Sequence, residues 1–416
     1  MKKLNPETHV CPETNLWMRS EAVTAIFKAL PKDSTRFVGG CVRNALWDVP
    51  VGDIDLATQL EPQAVADALD AAGIKYVPTG IAHGTLTAIV DKKPYEITSL
   101  RKDVETDGRR AVVAFTQNWS EDAQRRDLTV NALYADYDGQ LYDPTGEGLD
   151  DIAAKKFRFV GDADLRCRED YLRILRFFRF VAHYGGQEKV DAASLKACRE
   201  NRAGIKQLSA ERVWSELKKL LSAKDPSRAA RIMLTNEILE TVLREASNVD
   251  GLSRVAALEA RENIAVDPLL RLMSMAAREP LQVALLCKRL KMSKAETKRL
   301  RGWAEDDAQL STDMDERAKL GAIYKSGKQA IIDRALLRAA GEDDPIQSKR
   351  WVSLANLALE WERPTFPIDG RDLAEVGVPK GPQMGKAMQA LETLWVRSGF
   401  KTEKPQLLAA LKFLGY

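Results

Sequence analysis

A chain of 416 residues carries 63 lysines and arginines against 60 aspartates and glutamates, a formal net charge of +3. That length calls for two or more domains. The balanced charge excludes a uniformly basic nucleic-acid binder, so any such footprint must come from local clustering. Five scattered cysteines (Cys11, Cys41, Cys167, Cys198 and Cys287) show no C-x-x-C spacing, and the three histidines show no H-x-x-x-H pattern. They argue for reduced thiols and against a disulfide framework, a zinc site or a fused histidine-based phosphohydrolase. The start of the chain lacks an apolar signal core and no run is long enough to span a membrane, so a soluble cytoplasmic protein is expected.

Residues near 20–30 read as a leading helix. From residue 36 to about 160, β-branched runs alternate with turn signals. They predict strands at 36–38, 53–58, 85–90, 95–100, 112–115, 129–135 and 140–142, with helices at 42–47 and 62–72. After Gly161 strand signals stop and amphipathic helical spacing runs on to the C-terminus. The expected fold class is α+β: an extension and leading helix over 1–30, a head with a small sheet over 31–160, a neck over 161–225, and an all-α body and tail over 226–416.

The head opens with Phe37-Val38-Gly39-Gly40-Cys41-Val42-Arg43-Asn44, followed by Gly52-Asp53-Ile54-Asp55-Leu56. Gly39 and Gly40 at a strand end let backbone approach an anion, with free N–H groups at the helix start beside them. Arg43 adds a full positive charge. On a strand, Asp53 and Asp55 would project together while Ile54 and Leu56 enter the core. Either feature alone is an ordinary turn or a solvated strand edge. Joined, two hard oxygen ligands beside a phosphate cradle suit Mg²⁺ and nucleotidyl transfer. Glu96, polar between Tyr95 and Ile97, reads equally well as a third carboxylate or a surface residue.

Further on, Arg125-Arg126-Asp127-Leu128-Thr129-Val130-Asn131 precedes a predicted strand. Its arginines can clamp a triphosphate and Asp127 can accept from ribose hydroxyls. Glu169-Asp170-Tyr171-Leu172-Arg173 and the following residues to Phe180 read as one helix. Leu172, Leu175 and Phe178 or Phe180 would lie on its buried stripe, with Asp170, Arg173, Arg176 and Arg179 on one polar face. Three aligned arginines repel one another unless an anion sits opposite. In the tail, residues 288–301 hold seven cations against one acid, a solvated helix pair or an RNA-phosphate contact. Gly381-Pro382 marks a turn before a helix.

The first motif resembles the active-site signature of the polymerase β nucleotidyltransferase superfamily. More narrowly, it resembles the class II CCA-adding tRNA nucleotidyltransferases and bacterial poly(A) polymerases, whose usual pattern is Gly-Gly-x-Val-Arg-Asp. Asn44 stands here in the last position. The second motif resembles that family's Arg-Arg-Asp-Phe-Thr-x-Asn-Ala, with Leu128 for phenylalanine, and Glu169-Asp170-x-x-Arg173 its base-reading helix. Asp107-Gly108-Arg109-Arg110 resembles its mobile loop.

The resemblance implies addition of C, C and A to tRNA from CTP and ATP, without a membrane. Asp53 and Asp55 would hold two Mg²⁺ ions. Gly39, Gly40, Arg43 and Arg126 would hold the triphosphate, Asp127 the ribose, and Asp170 with Arg173 the base. A carboxylate accepting an exocyclic amine beside an arginine donor would favour C and A over U and G. Arg176 and Arg179 would meet phosphates or stiffen that pair. Poly(A) synthesis, addition of only the cytidines or only the adenosine, and an inactive RNA-binding scaffold are the alternatives; intact Asp53 and Asp55 count against the last.

Overall fold

The computed structural model describes residues 8–81, 84–107, 110–185, 190–245 and 248–415. The chain forms two compact units, Met1–Leu220 with Arg228–Val242, and Leu221–Ser227 with Leu243–Tyr416.

All the strands among the described residues lie in the first unit. They are β1 (Thr35–Val38), β2 (Asp55–Thr58), β3 (Lys75–Gly80), β4 (Thr85–Val90), β5 (Lys93–Ser99), β6 (Arg101–Asp107), β7 (Arg110–Phe115), β8 (Tyr134–Ala135) and β9 (Leu141–Tyr142). Seven of them form one sheet in the order β3-β4-β5-β2-β1-β8-β9, while β6 and β7 pair as a separate antiparallel ribbon. Only β2 and β5 run parallel, and their register sets Asp55 beside Glu96. Helices α1 (Glu21–Ala29), α2 (Gly40–Leu46), α3 (Pro62–Ala71), α4 (Trp119–Gln124) and α5 (Gly148–Ala153) surround the sheet sequence. Ile26 of α1, Leu69 of α3, and Phe37, Leu56, Leu86 and Ile97 of the strands are fully buried. Helices α6 (Ala163–Glu169), α7 (Leu172–Tyr184), α8 (Ala192–Asn201), α9 (Ala210–Leu221), α10 (Ser227–Thr235) and α11 (Ile238–Val242) follow.

The expected α+β class holds, and several local expectations are corrected. β2 starts at Asp55, so Asp53 lies ahead of the strand and Ile54 is only half-buried. The cause is that β1 leaves the sheet at Val38, where Gly39 turns the chain into α2; residues 53 and 54 have no ladder partner. The strand expected over 129–135 is a 3₁₀ turn, Thr129–Asn131, followed by the two residues of β8. Buried Thr129 and Asn131 bond through their side chains to Asp151 and Asp127, and the amides of Asn131 and Ala132 donate to Leu128 and Thr129 within the turn instead of to a neighbouring strand. β3 and β6 escaped the sequence reading. β3 contains Pro78 and a register shift at the sheet edge, and β6 is strongly charged. Within the loop 107–110, Gly108 and Arg109 lie outside the described residues.

The second unit is helical: α12 (Val249–Arg261), α13 (Pro268–Met275), α14 (Pro280–Arg289), α15 (Lys294–Glu305), α16 (Glu316–Ser326), α17 (Lys328–Gly341), α18 (Pro345–Glu360), α19 (Gly370–Glu375), α20 (Pro382–Arg397) and α21 (Lys404–Ala410). One core gathers Val255, Leu270, Ile331, Trp351 and Leu354; another gathers Leu373, Ala387, Leu391, Trp395 and Leu407. No helix among the described residues is long and apolar enough to cross a membrane.

Arg271 of α13 is 1% exposed, the largest fully buried side chain. It pairs with Glu259 at 2.6 Å and donates to the carbonyls of Leu221, Ala223 and Lys224, tying α12 and α13 to the segment 221–224. Truncating one partner of a buried ion pair strands the other. Arg271→Ala should therefore lower stability by about 3–5 kcal/mol in urea unfolding. The pair replacement Arg271→Met/Glu259→Leu should recover only part of that loss, because three backbone carbonyls remain without their donor.

Candidate active site

Gly39 ends β1 and caps α2 at φ 71°, a left-handed conformation that strains any other L residue. A Cβ there would stand 3.7 Å from Arg126 Nη1, and one at Gly40 would stand 3.8 Å from Arg43 Nη2. The glycine pair thus lies between two guanidiniums. Because α2 has only seven residues, most of the positive field comes from these arginines.

Gly39, Gly40, Arg43, Asp55, Arg126, Asp127, Asn131, Arg176, Arg179, Phe180, His183 and Tyr184 line a cavity of about 360 Å³. The structure therefore gathers most of the expected site residues around one space. Asp53, Asp170 and Arg173 are not among the lining residues.

Three of the four arginines are anchored by carboxylates. Arg126 donates through Nε and Nη2 to Asp122 Oδ2 at 3.2 and 3.0 Å. The same Asp122 accepts from Arg125 through its other oxygen and from the Tyr134 hydroxyl at 2.7 Å. Burial alone would raise its pKa, but the two arginines and Tyr134 bring it down to about 2. Arg176 pairs with Asp127 at 2.5 Å, and Asp127 also accepts from Asn131 and from the Leu128 amide. These partners outweigh burial and hold the Asp127 carboxyl well below the usual range. Arg179 Nε lies 2.9 Å from Glu216 Oε2, a close ion pair without hydrogen-bond alignment.

Arg43 is different. Only 5% exposed, it has neutral hydrogen-bond partners: Asn131 Oδ1, Asn44 Oδ1 at 2.7 Å and the Tyr184 hydroxyl at 3.0 Å. Its guanidinium lies 4.5 Å from the Tyr184 ring centroid and 5.0 Å from that of Phe180. Burial lowers its pKa, opposed by Tyr184. Asn44 Nδ2 in turn donates to Pro50 O at 3.1 Å, and the Val49 amide donates to Asn44 O at 2.9 Å. The asparagine thereby bridges Arg43 and the segment leading to Asp53. An aspartate could accept from Arg43 but could offer nothing to the Pro50 carbonyl.

The expected single helix over 169–180 is broken. α6 ends at Glu169, Asp170 is extended (φ −153°, ψ 103°), and α7 begins at Leu172. Asp170 Oδ1 accepts from the Leu172 amide at 3.0 Å, satisfying an open donor of the new helix. Its Oδ2 pairs with Arg212 at 2.8 Å. Arg173 binds Glu169 Oε2 at 2.5 Å and donates to the carbonyls of Arg166 and Arg125. The stripe Arg173, Arg176, Arg179 therefore faces the protein's own acids, Glu169, Asp127 and Glu216. Tyr184, Asn131 and Asp122 were not singled out as site residues; only Asp122, four residues before Arg126 on α4, left a spacing signal.

Asp55 is the carboxylate of this site whose ionised form is disfavoured. Burial, the charge of Glu96 across the parallel ladder and that of Asp53 push its pKa up to about 6, against the pull of Arg126. Carboxylates that destabilise one another's ionised forms fit a divalent cation. Among the described residues no three ligands already converge on one point, so substrate oxygens would complete the coordination, as Mg²⁺ prefers.

A cavity lined by a glycine pair, four arginines and Asp55 fits a nucleotidyltransferase head. Residues 35–158 match the poly A polymerase head domain, 189–249 the probable RNA and SrmB-binding site of polymerase A, and 268–411 the putative domain 2 of tRNA nucleotidyltransferase. The mitochondrial CCA tRNA nucleotidyltransferase 1 of Mus musculus is 34% identical over 94% of this chain and 89% of its own. The CCA-adding enzyme of Pediococcus pentosaceus is 30% identical over 91% and 93%. The crystal structure of the Bacillus stearothermophilus CCA-adding enzyme in complex with CTP gives a TM-score of 0.74 at 26% identity, covering 96% of this chain and 98% of that one. The chain belongs to the class II CCA-adding tRNA nucleotidyltransferase and poly(A) polymerase family, and it is a nucleotidyltransferase.

Three outcomes follow from this geometry. A protonated Asp55 cannot hold a cation, so incorporation at limiting Mg²⁺ should fall as pH drops through about 6. Glu96→Gln removes a charge that raises the Asp55 pKa and should move this acid limb to lower pH in single-turnover profiles; an unmoved limb would separate the two residues. Asn44→Asp sets a carboxylate against Arg43 and leaves the Pro50 carbonyl without its donor. The KM for nucleotide should rise roughly 3- to 10-fold with RNA binding unchanged.

Proposed function

We propose that the protein repairs the 3′ end of tRNA, adding C, C and A in turn from CTP and ATP and releasing pyrophosphate at each step. The observation that carries this reading is the cavity in which Arg43, Arg126, Arg176 and Arg179 face Asp55. The relatives named above, called CCA-adding or CCA tRNA nucleotidyltransferases, supply the choice of RNA and nucleotides.

Arg43 and Arg126, on either side of the glycine pair, would hold the triphosphate, so that the RNA 3′ oxygen can attack the α-phosphorus in line. Asp53 and Asp55 would hold two Mg²⁺ ions, which when bound favour the ionised 3′-hydroxyl and the leaving pyrophosphate. Asp127, already bound by Arg176 and Asn131, would orient the ribose through its remaining acceptor capacity. Asp170 and Arg173 would serve as the base template after Asp170 exchanges Arg212 for the base. The division into a head over 31–160, a base-binding neck over 161–225 and an RNA-binding remainder over 226–416 belongs to the same proposal. So does a cytoplasmic setting, with which five free cysteines are consistent.

The test is direct. Purified protein, tRNA lacking its 3′ end and labelled nucleotides should give two additions with CTP alone and complete CCA with CTP and ATP together. Long A tails on unstructured RNA with ATP alone would favour a poly(A) polymerase, which shares the head. Asp55→Ala should abolish both incorporations while tRNA affinity stays within about twofold, since phosphate contacts elsewhere supply that affinity; turnover at the wild-type rate would remove the assignment.

A further inference from the structure

Between residues 288 and 301 lie seven cations and one acid. The ion pairs separate those that hold the fold from those that face outward. Arg289 is gripped by both oxygens of Glu245, at 3.0 and 2.5 Å. Arg299 is shared by Asp333 and Asp267, and Arg301 leans on Glu305 of its own helix at 2.7 Å. The acid of the run, Glu296, is turned back to the start of α15, where it accepts from the Ser293 amide and hydroxyl at 2.9 Å in a capping box.

Lys291, in the turn between the helices, has an interaction of its own, which leaves Lys288, Lys294 and Lys298. All three are exposed, and none of their ammonium groups has an ion pair or hydrogen bond among the described residues. They stand on a firm support. The four-residue turn joining α14 to α15 is pinned by buried Leu290 and Met292, with Lys291 left-handed at φ 47°. Lys294 and Lys298 are four residues apart, one helical turn, so about 6 Å separates them along α15. Unneutralised ammonium groups on two helices packed against each other suit a polyanion. Lysine is a point charge without a bidentate fork, which suits contact with phosphates regardless of base.

We propose that the α14–α15 helix pair docks the sugar-phosphate backbone of the RNA substrate through Lys288, Lys294 and Lys298. The matched RNA-binding segment covers 189–249, so this surface is additional to it. The proposal rests on RNA being the substrate. Leu281 and Leu285, 73% and 52% exposed on α14, are the features a protein partner would use instead.

The experiment compares full-length wild type with Lys288→Ala/Lys294→Ala/Lys298→Ala. Binding of labelled tRNA is followed by anisotropy from 50 to 200 mM salt, alongside nucleotide incorporation. Losing three phosphate contacts should flatten the slope of log K against log salt by about 2–3. Kd and the KM for tRNA should rise about tenfold or more at low salt, with kcat at saturating tRNA and the KM for CTP unchanged. The triple arginine variant should restore the slope, since charge is retained. Wild-type slope and affinity in the alanine variant would overturn the surface while leaving tRNA repair intact. A lysine-dependent slope in a protein that adds nothing to tRNA would keep the surface and remove the repair reading. If Leu281→Ser/Leu285→Ser weakens tRNA binding and the lysine variant does not, contact is apolar and the proposal falls; if wild type binds no tRNA, both readings fall.

Discussion

The first unit is organised around a crowd of guanidiniums. Arg43, Arg126, Arg176 and Arg179 converge on one partly buried space, where like charges interact far more strongly than in water. The fold gives three of them a carboxylate each: Asp122, Asp127 and Glu216. Arg43 receives amide oxygens, a hydroxyl and aromatic faces instead. Those groups orient the cation without cancelling it. The uncompensated charge therefore sits beside Gly40, where a substrate phosphate can approach.

The same bonds fasten α7 to α2 and to the segment around Asp127. Arg176 and Tyr184, both on α7, reach Asp127 and Arg43 of the head. A broken Arg176–Asp127 pair would leave a nearly buried carboxylate without its cation, a larger cost than losing an exposed pair. Across the cavity the sign reverses. The parallel β2–β5 ladder places Glu96 next to Asp55, and burial together with that neighbouring charge keeps the Asp55 pKa high. Like charges crowd on each side, and in the proposed reading a nucleotide with its metal would supply the opposite charge to both.

Much of this was legible because it is local. The glycine pair, Arg43, Asp55, the Arg126-Asp127 run and the arginines of α7 each sit in short motifs with chemistry written into their spacing. What escaped depends on distant partners. Nothing near Tyr184 in sequence announces that its hydroxyl meets Arg43, and nothing around Arg271 announces three backbone carbonyls. The break at Asp170 was hidden by a helical pattern that continues through it, because burial periodicity cannot register a side chain bonding to its own neighbouring backbone. β3 and β6 were missed where polar residues and Pro78 masked strand character at an edge and in a ribbon.

The proposed base template can be weighed in the same terms. Asp170 and Arg212 are partly exposed, and exchanging such an ion pair for a base edge costs little, since pairs of this kind contribute about 0–1 kcal/mol. Arg173 is more enclosed and is held by Glu169 and two carbonyls. It need not let go, because a guanidinium has five N–H donors and these contacts use only Nη1 and Nη2. A template built this way keeps its arginine fixed and lets only its carboxylate change partner. In that proposal, recognition of both C and A requires a small rearrangement of one side chain while Arg43, held by Asn44, Asn131 and Tyr184, stays in place.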